Sequence, residues 1–227
     1  MSRTVVLFAR SPEREALAKG LRALVAVPLF RRLIADWLRA ARNAGAEAVV
    51  ACEDEDRGAL AAIAAELPRM FLAQRGATFG ARLAAAAEDV FARGASSVLI
   101  AGIDAPPHAL DRAFAALERG FAVVAPARDG GVNVIGLARE DVALLEAIEP
   151  RRRDVLRLCR AAFGAKLVEL TGAVDIDNHA SLDAARHDVA WRAYFAVASF
   201  ALVASDHPQR GIALTPLSRP PPARVIR

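Results

Sequence analysis

The chain alternates between short apolar runs and longer stretches in which apolar residues recur every three or four positions. Seven runs have the length of strands and are apolar at most of their positions: Thr4–Ala9, Glu47–Cys52, Met70–Ala73, Ser97–Ala101, Ala122–Ala125, Val132–Leu137 and Lys166–Leu170. Strands that are apolar throughout are typical of a parallel sheet that is buried on both faces. The pattern therefore predicts an α/β protein with three layers (αβα), in which helices cover a mostly parallel mixed sheet.

The stretches between these runs have the period of amphipathic helices. Three apolar faces stand out: Leu29, Phe30, Leu33, Ile34, Trp37, Leu38 and Ala41; Phe79, Leu83, Ala87, Val90 and Phe91; and Leu110, Phe114 and Leu117. One connection is different, because Gly130-Gly131 joins two predicted strands without room for a helix. A tight turn can only join antiparallel neighbours, so one antiparallel pair is expected there.

Composition bounds the size and the partners of the protein. The chain has 227 residues and 55% hydrophobic content, which is enough for one domain over residues 1–204. From Ser205 it becomes rich in Pro and Arg, and we expect a flexible tail over residues 205–227. The net charge is only +4, and the basic residues are spread over many predicted helices. Because they form no single stripe, we expect no nucleic-acid partner.

Several common chemistries are absent from the sequence. It contains no Walker phosphate loop, no dinucleotide glycine fingerprint and no Gly-x-Ser-x-Gly elbow. Its four histidines lack the spacing of zinc ligands. Cys52 and Cys159 have no paired spacing, which favours reduced core thiols in a cytoplasmic protein. The apolar stretch Trp191–Ala204 is too short for a transmembrane segment and favours docking on the domain or on a partner.

Carboxylates follow two of the predicted strands within four residues. Asp104 comes after one strand and is followed by Pro106, whereas Asp129 comes after another and is followed by Gly130-Gly131. Ligands of open α/β sheets bind at the carboxyl ends of the strands. Carboxylates at these ends can hold a divalent cation and, through it, a phosphate. The structural alternative is that each aspartate only caps a helix or makes a turn.

A third acidic cluster, Asp175-Ile176-Asp177-Asn178, precedes a predicted helix. Taken alone, Asp177 or Asn178 is a good helix cap. Taken together with Asp104, the cluster predicts a cation held between two distant parts of the chain. Oxygen ligands of this kind suit Mg²⁺ or Mn²⁺ rather than zinc.

A family resemblance rests on these same residues. The motifs that carry it occur in order: Phe8-Ala-Arg-Ser-Pro12, Gln74-Arg-Gly-Ala-Thr-Phe-Gly-Ala-Arg-Leu83, Gly102-Ile-Asp-Ala-Pro106, Pro126-Ala-Arg-Asp-Gly-Gly131, Ile135-Gly-Leu137 and Asp175-Ile-Asp177. Together they resemble the DUF2064 group of bacterial glycosyltransferase-A-like proteins, which is related to phospholactate and molybdopterin guanylyltransferases. The resemblance implies the Rossmann-like nucleotide-diphospho-sugar transferase (GT-A) fold.

The resemblance also implies roles for individual residues. Nucleotide contacts are expected from Arg10, Ser11, Lys19, Gln74, Gly76, Arg82 and Gly102. Substrate contacts are expected from Gly130, Gly131 and Asn133. Asp104 is expected to bind the cation, with Asp177, or alternatively Asp175, on its far side, and Asp129 is expected to act as general base.

Three functions stay open at this stage. The first is a glycosyltransferase that moves a sugar from a nucleotide-activated donor to a small-molecule acceptor. The second is a nucleotidyltransferase that joins a nucleoside triphosphate to a phosphorylated acceptor and releases pyrophosphate. The third is a degenerate binding subunit, since the usual Lys-Thr-Arg-Leu stretch of the family is replaced by Ala18-Lys-Gly-Leu21. A second copy of the chain is a further partner that the sequence allows.

Overall fold

All seven predicted strands form, and they lie side by side in one sheet. The computed structural model describes residues 2–63, 65, 70–107, 109–148 and 154–196. The strands are β1 (Arg3–Phe8), β2 (Glu47–Cys52), β3 (Met70–Ala73), β4 (Ser97–Ala101), β5 (Ala122–Pro126), β6 (Val132–Leu137) and β7 (Leu167–Glu169). Their order across the sheet is β3-β2-β1-β4-β6-β5-β7. The predicted tail, residues 205–227, and the apolar residues 197–204 lie outside the described residues.

Helices form between the strands, where the apolar periodicity predicts them. They are α1 (Pro12–Ala18), α2 (Ala23–Asn43), α3 (Arg57–Ile63), α4 (Phe79–Ala92), α5 (Leu110–Leu117), α6 (Leu144–Ile148), α7 (Val155–Phe163) and α8 (His179–Ala185). Short 3₁₀ turns cover Asp54–Asp56, Arg139–Asp141, Gly164–Lys166 and Val189–Trp191. In the described part of the chain, no helix combines the length and apolar character that crossing a bilayer requires.

The sheet is mixed in the way the glycine turn predicts. Among the described strands, only β6 runs antiparallel, and it pairs with β4 on one side and β5 on the other. The turn at Asp129-Gly130-Gly131 connects β5 to β6 directly, which confirms the expected antiparallel pair. The remaining pairs are parallel, so the carboxyl ends of β1, β4, β5 and β7 point to the same edge.

Both faces of the sheet are buried, which explains why the strands lack alternation. In β1, Val5 and Leu7 pack on the side of α2 and α5, whereas Val6 and Phe8 pack on the side of α4 and α7. Successive strand side chains point to opposite faces, so burial on both sides requires a continuous apolar run. The expected three-layer fold is thereby confirmed. The two cysteines are free and buried, as predicted for core residues.

A third apolar cluster lies beside the carboxyl edge of the sheet. It joins α1, the first half of α2, α8 and the buried side chain of Trp191. Phe30 and Leu33 of α2 are fully buried in it. This cluster fixes α1 and the segment before α8 against the sheet, and both of these carry polar side chains to the same edge.

Candidate active site

A cavity of about 620 Å³ opens at the carboxyl ends of β1 and β4 and at the turn after β5. Its walls come from widely separated parts of the sequence. The residues predicted for the site that line it are Arg10, Lys19, Gln74, Arg82, Gly102, Asp104, Asp129, Gly131, Asn133, Asp175 and Asp177. The cavity lies at the carboxyl ends of the strands, where the sequence predicts a ligand.

Three predicted site residues lie outside this lining and have structural duties instead. Ser11 precedes the first residue of α1, and its backbone N–H donates to Asp56. Gly76 has a φ of 138°, and a Cβ there would lie 2.8 Å from the backbone of Arg82. Gly130 has a φ of 96° in the turn between β5 and β6. These residues shape their loops, and their contact with a ligand stays a prediction.

Pairing beyond the regular strands brings the third acidic cluster to the cavity. Ala127 and Ala173 form a parallel bridge that extends the β5–β7 pair past its last regular residue. The backbone N–H of Ile176 then donates to the carbonyl of Asp104 at 2.9 Å. The segment that carries Asp175 and Asp177 is thereby held directly against the loop after β4.

Two buried tryptophans donate hydrogen bonds to the backbone of the same loops. The indole N–H of Trp37 donates to the carbonyl of Ala105 at 2.9 Å, and that of Trp191 donates to the carbonyl of Val174 at 2.7 Å. The N–H of Val174 donates to the buried carboxylate of Asp188. Each carbonyl belongs to the residue next to a site aspartate, so the backbone beneath Asp104 and Asp175 is fixed on rigid elements.

Three carboxylates converge on one point of the cavity. Oxygens of Asp129, Asp175 and Asp177 all lie within 4.8 Å of one another. The set contains only carboxylate oxygens, which are the ligands that Mg²⁺ and Mn²⁺ prefer. These residues therefore fit a hard divalent cation. Asp129, which the sequence predicts as a general base, thus lies in this acidic cluster, and its base role stays a prediction.

Asp104 lies next to the cluster but is not one of the three. Its Oδ2 accepts from the Nζ of Lys19 at 3.2 Å, and the same ammonium donates to Oδ1 of Asp177 at 2.7 Å. The expected convergence of Asp104 and Asp177 is thus present, with a lysine bridging them. Gly102 permits this position of Asp104, since a Cβ on Gly102 would lie 2.7 Å from Oδ1 of Asp104.

Lys19 is almost enclosed by these partners. Its side chain is 10% exposed, and its third carboxylate partner is Glu15, at 3.3 Å. Burial alone lowers the pKa of Lys19, but the carboxylates of Asp104, Glu15 and Asp177 outweigh burial and raise this pKa above its ordinary value. The side chain is therefore a permanent positive charge in the floor of the cavity.

Two arginines add further positive charge to the lining of the cavity. Arg10 pairs with the second carboxylate oxygen of Glu15 at 3.2 Å, and Arg82 lies 3.8 Å from Glu53. The Nε of Arg82 is buried and has no hydrogen-bond partner within the described residues. Buried donors are rarely left unpaired, so this N–H is a candidate donor to an acceptor such as a phosphate oxygen.

Two amide side chains predicted for ligand contact are held by the protein itself. Nε2 of Gln74 donates to the carbonyl of Ala51, and Nδ2 of Asn133 donates to the carbonyl of Ala173. Asn133 is buried and links β6 to the segment that leads to Asp175. Both amides can still offer their oxygens to the cavity, but their orientation is set by the backbone.

The structural alternatives from the sequence are partly realised. Asn178 caps α8 in a reciprocal capping box with Ser181, so Asp177 is not used as the cap. Oδ1 of Asp129 accepts from the N–H of Gly131 at 2.8 Å, which makes Asp129 a turn residue as well as a member of the acidic cluster. Neither duty removes a carboxylate from the cavity.

The acidic cluster shifts the titration of its most buried member. Burial and, after it, the nearby carboxylates of Asp104, Asp177 and Asp129 together raise the pKa of Asp175 to about 7. An unfolded aspartate has a pKa of about 3.9. The folded protein therefore binds more protons than the unfolded chain between about pH 4 and pH 7, and its stability falls as the pH rises through that window.

We expect Asp175→Asn to remove this pH-dependent penalty. In the presence of EDTA, the Tm of the variant minus that of the wild type should be larger at pH 8 than at pH 5. The reason is that an ionised Asp175 destabilises only the folded wild type, and only at the higher pH. Thermal melts at both pH values measure the difference, and a difference that does not change with pH would contradict the assignment.

Two carboxylates of the site region were missed by sequence reasoning. Glu15 holds both Arg10 and Lys19, and its spacing of four residues from Lys19 on a helix is a signal that could have found it. Asp56 is fully buried and binds the N–H of Ser11 and the guanidinium of Arg14. No local pattern marks Asp56, because its partners are more than 40 residues away in the sequence.

Comparison with known protein families and structures adds to this picture. The family model described as "Uncharacterized protein conserved in bacteria (DUF2064)" matches residues 35–150, just over half of the chain. A search of curated proteins finds no match.

Solved structures with the same fold are numerous, and three illustrate the range. A candidate nucleotide-diphospho-sugar transferase from Desulfovibrio desulfuricans G20 has a TM-score of 0.67 and 22% identity, covering 90% of this chain and 98% of its own. The 4-diphosphocytidyl-2C-methyl-D-erythritol synthase from Anaerococcus prevotii DSM 20548 has a TM-score of 0.53 and 14% identity, covering 82% and 97%. Rv0371c from Mycobacterium tuberculosis H37Rv, in complex with manganese, has a TM-score of 0.50 and 18% identity, covering 78% and 92%. At these identities the comparisons establish the nucleotide-diphospho-sugar transferase fold.

Proposed function

Since the chain belongs to the DUF2064 family, we propose that it is a cation-dependent transferase that uses a nucleotide-activated donor, and that it moves a sugar to a small-molecule acceptor. The observation that carries the proposal is the convergence of Asp129, Asp175 and Asp177 in a cavity that also contains lysine and arginine. The structural neighbours with transferase and synthase names support the choice of class.

The charges of the cavity favour a diphosphate bound together with a cation. Five carboxylates face it, from Glu15, Asp104, Asp129, Asp175 and Asp177. Three cationic side chains face it as well, from Arg10, Lys19 and Arg82. A diphosphate alone would be repelled by the carboxylates, and a divalent cation alone would be repelled by the lysine and arginines. A complex of the two satisfies both sets of groups.

Asp129, Asp175 and Asp177 would hold the Mg²⁺ or Mn²⁺ ion. When bound, such a cation neutralises the negative charge that develops on a diphosphate leaving group. The buried Nε of Arg82 and the guanidinium of Arg10 would bind phosphate oxygens, since arginine donates along two parallel directions. The walls of the cavity would position the donor, and its open side would admit the acceptor.

The proposed reaction exchanges one bond at the anomeric carbon of the donor sugar. The acceptor hydroxyl oxygen forms a bond to that carbon, and the bond from the carbon to the diphosphate oxygen breaks. The hydroxyl proton leaves to a carboxylate or to solvent, and the nucleoside diphosphate departs with the electron pair. Gly131, beside Asp129, leaves space for the acceptor.

Because Asp129 groups with Asp175 and Asp177, we propose that it binds the cation; the alternative is the general base that the sequence predicts. If Asp129 holds the cation, Asp129→Asn will weaken Mn²⁺ binding; if it acts only as a base, the variant will bind Mn²⁺ normally and lose turnover. The predicted role of Asp104 as a cation ligand stays a prediction: Asp104 is not one of the three grouped carboxylates, but Lys19 connects it to Asp177, which is one of them.

A ligand survey tests the proposal. We expect Mn²⁺ together with one class of nucleoside-diphosphate sugar to raise the Tm, because ligand at a hundredfold excess over its Kd adds roughly 2.7 kcal/mol of stability. For a chain of this size the shift would be roughly 5–10 °C. Thermal melts with UTP, GTP, CTP, ATP and the common nucleoside-diphosphate sugars, each with Mn²⁺ or with EDTA, provide the measurement.

The same survey separates the competing functions. Release of pyrophosphate from a nucleoside triphosphate and a phosphorylated acceptor would replace glycosyl transfer with nucleotidyl transfer. Transfer from a nucleoside-diphosphate sugar releases a nucleoside diphosphate instead. No shift with any nucleotide, with or without Mn²⁺, would contradict both enzymatic functions and favour a binding subunit.

A further inference from the structure

Lys19 occupies a position that a divalent cation would share. Its ammonium donates to Oδ1 of Asp177 at 2.7 Å, and Asp177 is also one of the three carboxylates that converge in the cavity. The side chain reaches this position from the end of α1 and is nine-tenths buried there. The chain thus supplies its own cation to the acidic floor of the cavity.

We propose that Lys19 is a resident cation that makes the site select a cation–diphosphate complex over the free metal ion. In the ligand-free protein Lys19 neutralises Asp104 and Asp177 and keeps a divalent ion from binding there. When a diphosphate arrives, Lys19 exchanges its carboxylate partners for phosphate oxygens. This inference rests on the proposed function and adds a rule for the order in which ligands bind.

The exchange starts from the partners that Lys19 has in this structure. Its present partners are carboxylates from three elements: Glu15 on α1, Asp104 after β4 and Asp177 before α8. A lysine side chain is a point charge on a flexible stem, so it can turn towards a phosphate without movement of the backbone. The next residue, Gly20, has a φ of 64°, so the chain turns directly after the lysine.

The exchange makes each ligand improve the binding of the other. Two positive groups cannot share Asp177 without repulsion, so a free Mn²⁺ ion must compete with the lysine. A diphosphate removes that competition, because it offers the ammonium new acceptors and frees oxygens of Asp104 and Asp177. By linkage, the cation strengthens diphosphate binding by the same factor.

The test compares Mn²⁺ affinity in the absence of nucleotide. Lys19→Met removes the ammonium but retains the length of the side chain, and we expect it to bind Mn²⁺ at least tenfold more tightly than the wild type. Lys166→Met is the matched control, since Lys166 is the only other lysine and is exposed. Isothermal titration with MnCl₂, or the free-Mn²⁺ signal in electron paramagnetic resonance, measures the Kd without any turnover assay.

The second arm repeats the titration with a saturating nucleoside diphosphate. We expect the nucleotide to tighten Mn²⁺ binding at least tenfold in the wild type and in Lys166→Met, and much less in Lys19→Met. Lys19→Arg, which retains the charge, should not gain affinity for free Mn²⁺. Circular dichroism confirms that each variant is folded before titration.

Each result bears on a distinct claim. Equal or weaker Mn²⁺ binding by folded Lys19→Met would overturn the inference, while nucleotide-dependent Mn²⁺ binding in the wild type would leave the proposed function intact. Absence of Mn²⁺ binding in every variant, with and without nucleotide, would overturn both. Tighter binding by Lys19→Met together with loss of the nucleotide effect would support the exchange.

Discussion

Asp104→Ala should lower cation-dependent turnover at least a hundredfold, a loss of about 3 kcal/mol or more in transition-state stabilisation. The carboxylate binds Lys19 and lies beside the acidic cluster, so its removal frees the lysine from one side and weakens the field that the cluster places on a cation. Steady-state kinetics with the donor identified by the ligand survey, at saturating Mn²⁺, measures the effect.

The control for this variant is an exposed aspartate. Asp183 on α8 has a side chain that is 75% exposed, and Asp183→Ala should leave turnover within twofold of the wild type. Asp104 is itself partly exposed, and its backbone carbonyl keeps the bond from Ile176 in the variant, so the fold should persist. Full activity in a folded Asp104→Ala protein would remove this carboxylate from the mechanism.

Asp56→Ala should destabilise the protein by about 3 kcal/mol. The substitution leaves the buried N–H of Ser11 without an acceptor. It also removes the 2.7 Å contact between Arg14 and the carboxylate of Asp56, which has no exposed surface. For a chain of this size the Tm should fall by roughly 6–12 °C. Urea unfolding and thermal melts at pH 7 measure the two quantities.

The neighbouring Glu55 provides a matched control for Asp56. It also pairs with Arg14, at 2.5 Å, but its side chain is 63% exposed. Exposed pairs contribute little, so Glu55→Ala should cost no more than about 1 kcal/mol. Asp56→Asn should fall between the two, because it keeps an acceptor for Ser11 and loses the charge. Equal effects of the Asp56→Ala and Glu55→Ala substitutions would show that burial of Asp56 is not what stabilises this loop.

The strands could be predicted because their signal is local. A strand buried on both faces must be apolar at every position, and Val98 to Ala101 in β4 satisfies that requirement in the sequence itself. The antiparallel hairpin was equally local, since Gly130-Gly131 leaves no room for a crossover helix. Such features depend on neighbours in the chain and need no knowledge of distant contacts.

The composition of the site could be predicted only in part. Aspartates at strand ends converge because parallel strands present their carboxyl ends at one edge, and this placed Asp104, Asp129 and Asp177 correctly around one cavity. Which of them group most closely depends on the Ala127–Ala173 bridge, a long-range pairing that has no sequence signal. The grouping of Asp129 with the late cluster therefore had to come from the structure.

The position of Lys19 was beyond the sequence for a similar reason. Its ammonium reaches Asp104 and Asp177 because α1 packs on α2 and on the cluster around Trp191, a tertiary arrangement. From the sequence, Lys19 is expected only as a nucleotide contact, and no pattern there predicts its carboxylate partners. The same holds for Asp56, because the groups that it binds, the N–H of Ser11 and the guanidinium of Arg14, are distant from it in the sequence.

The most direct test of the central claim is the location of a manganese ion by anomalous scattering in crystals grown with Mn²⁺ and a nucleoside diphosphate. The account predicts one peak in direct contact with carboxylate oxygens of at least two of Asp129, Asp175 and Asp177, with the diphosphate on its other side. A peak bound elsewhere on the protein, with this cluster in contact with water alone, would contradict it.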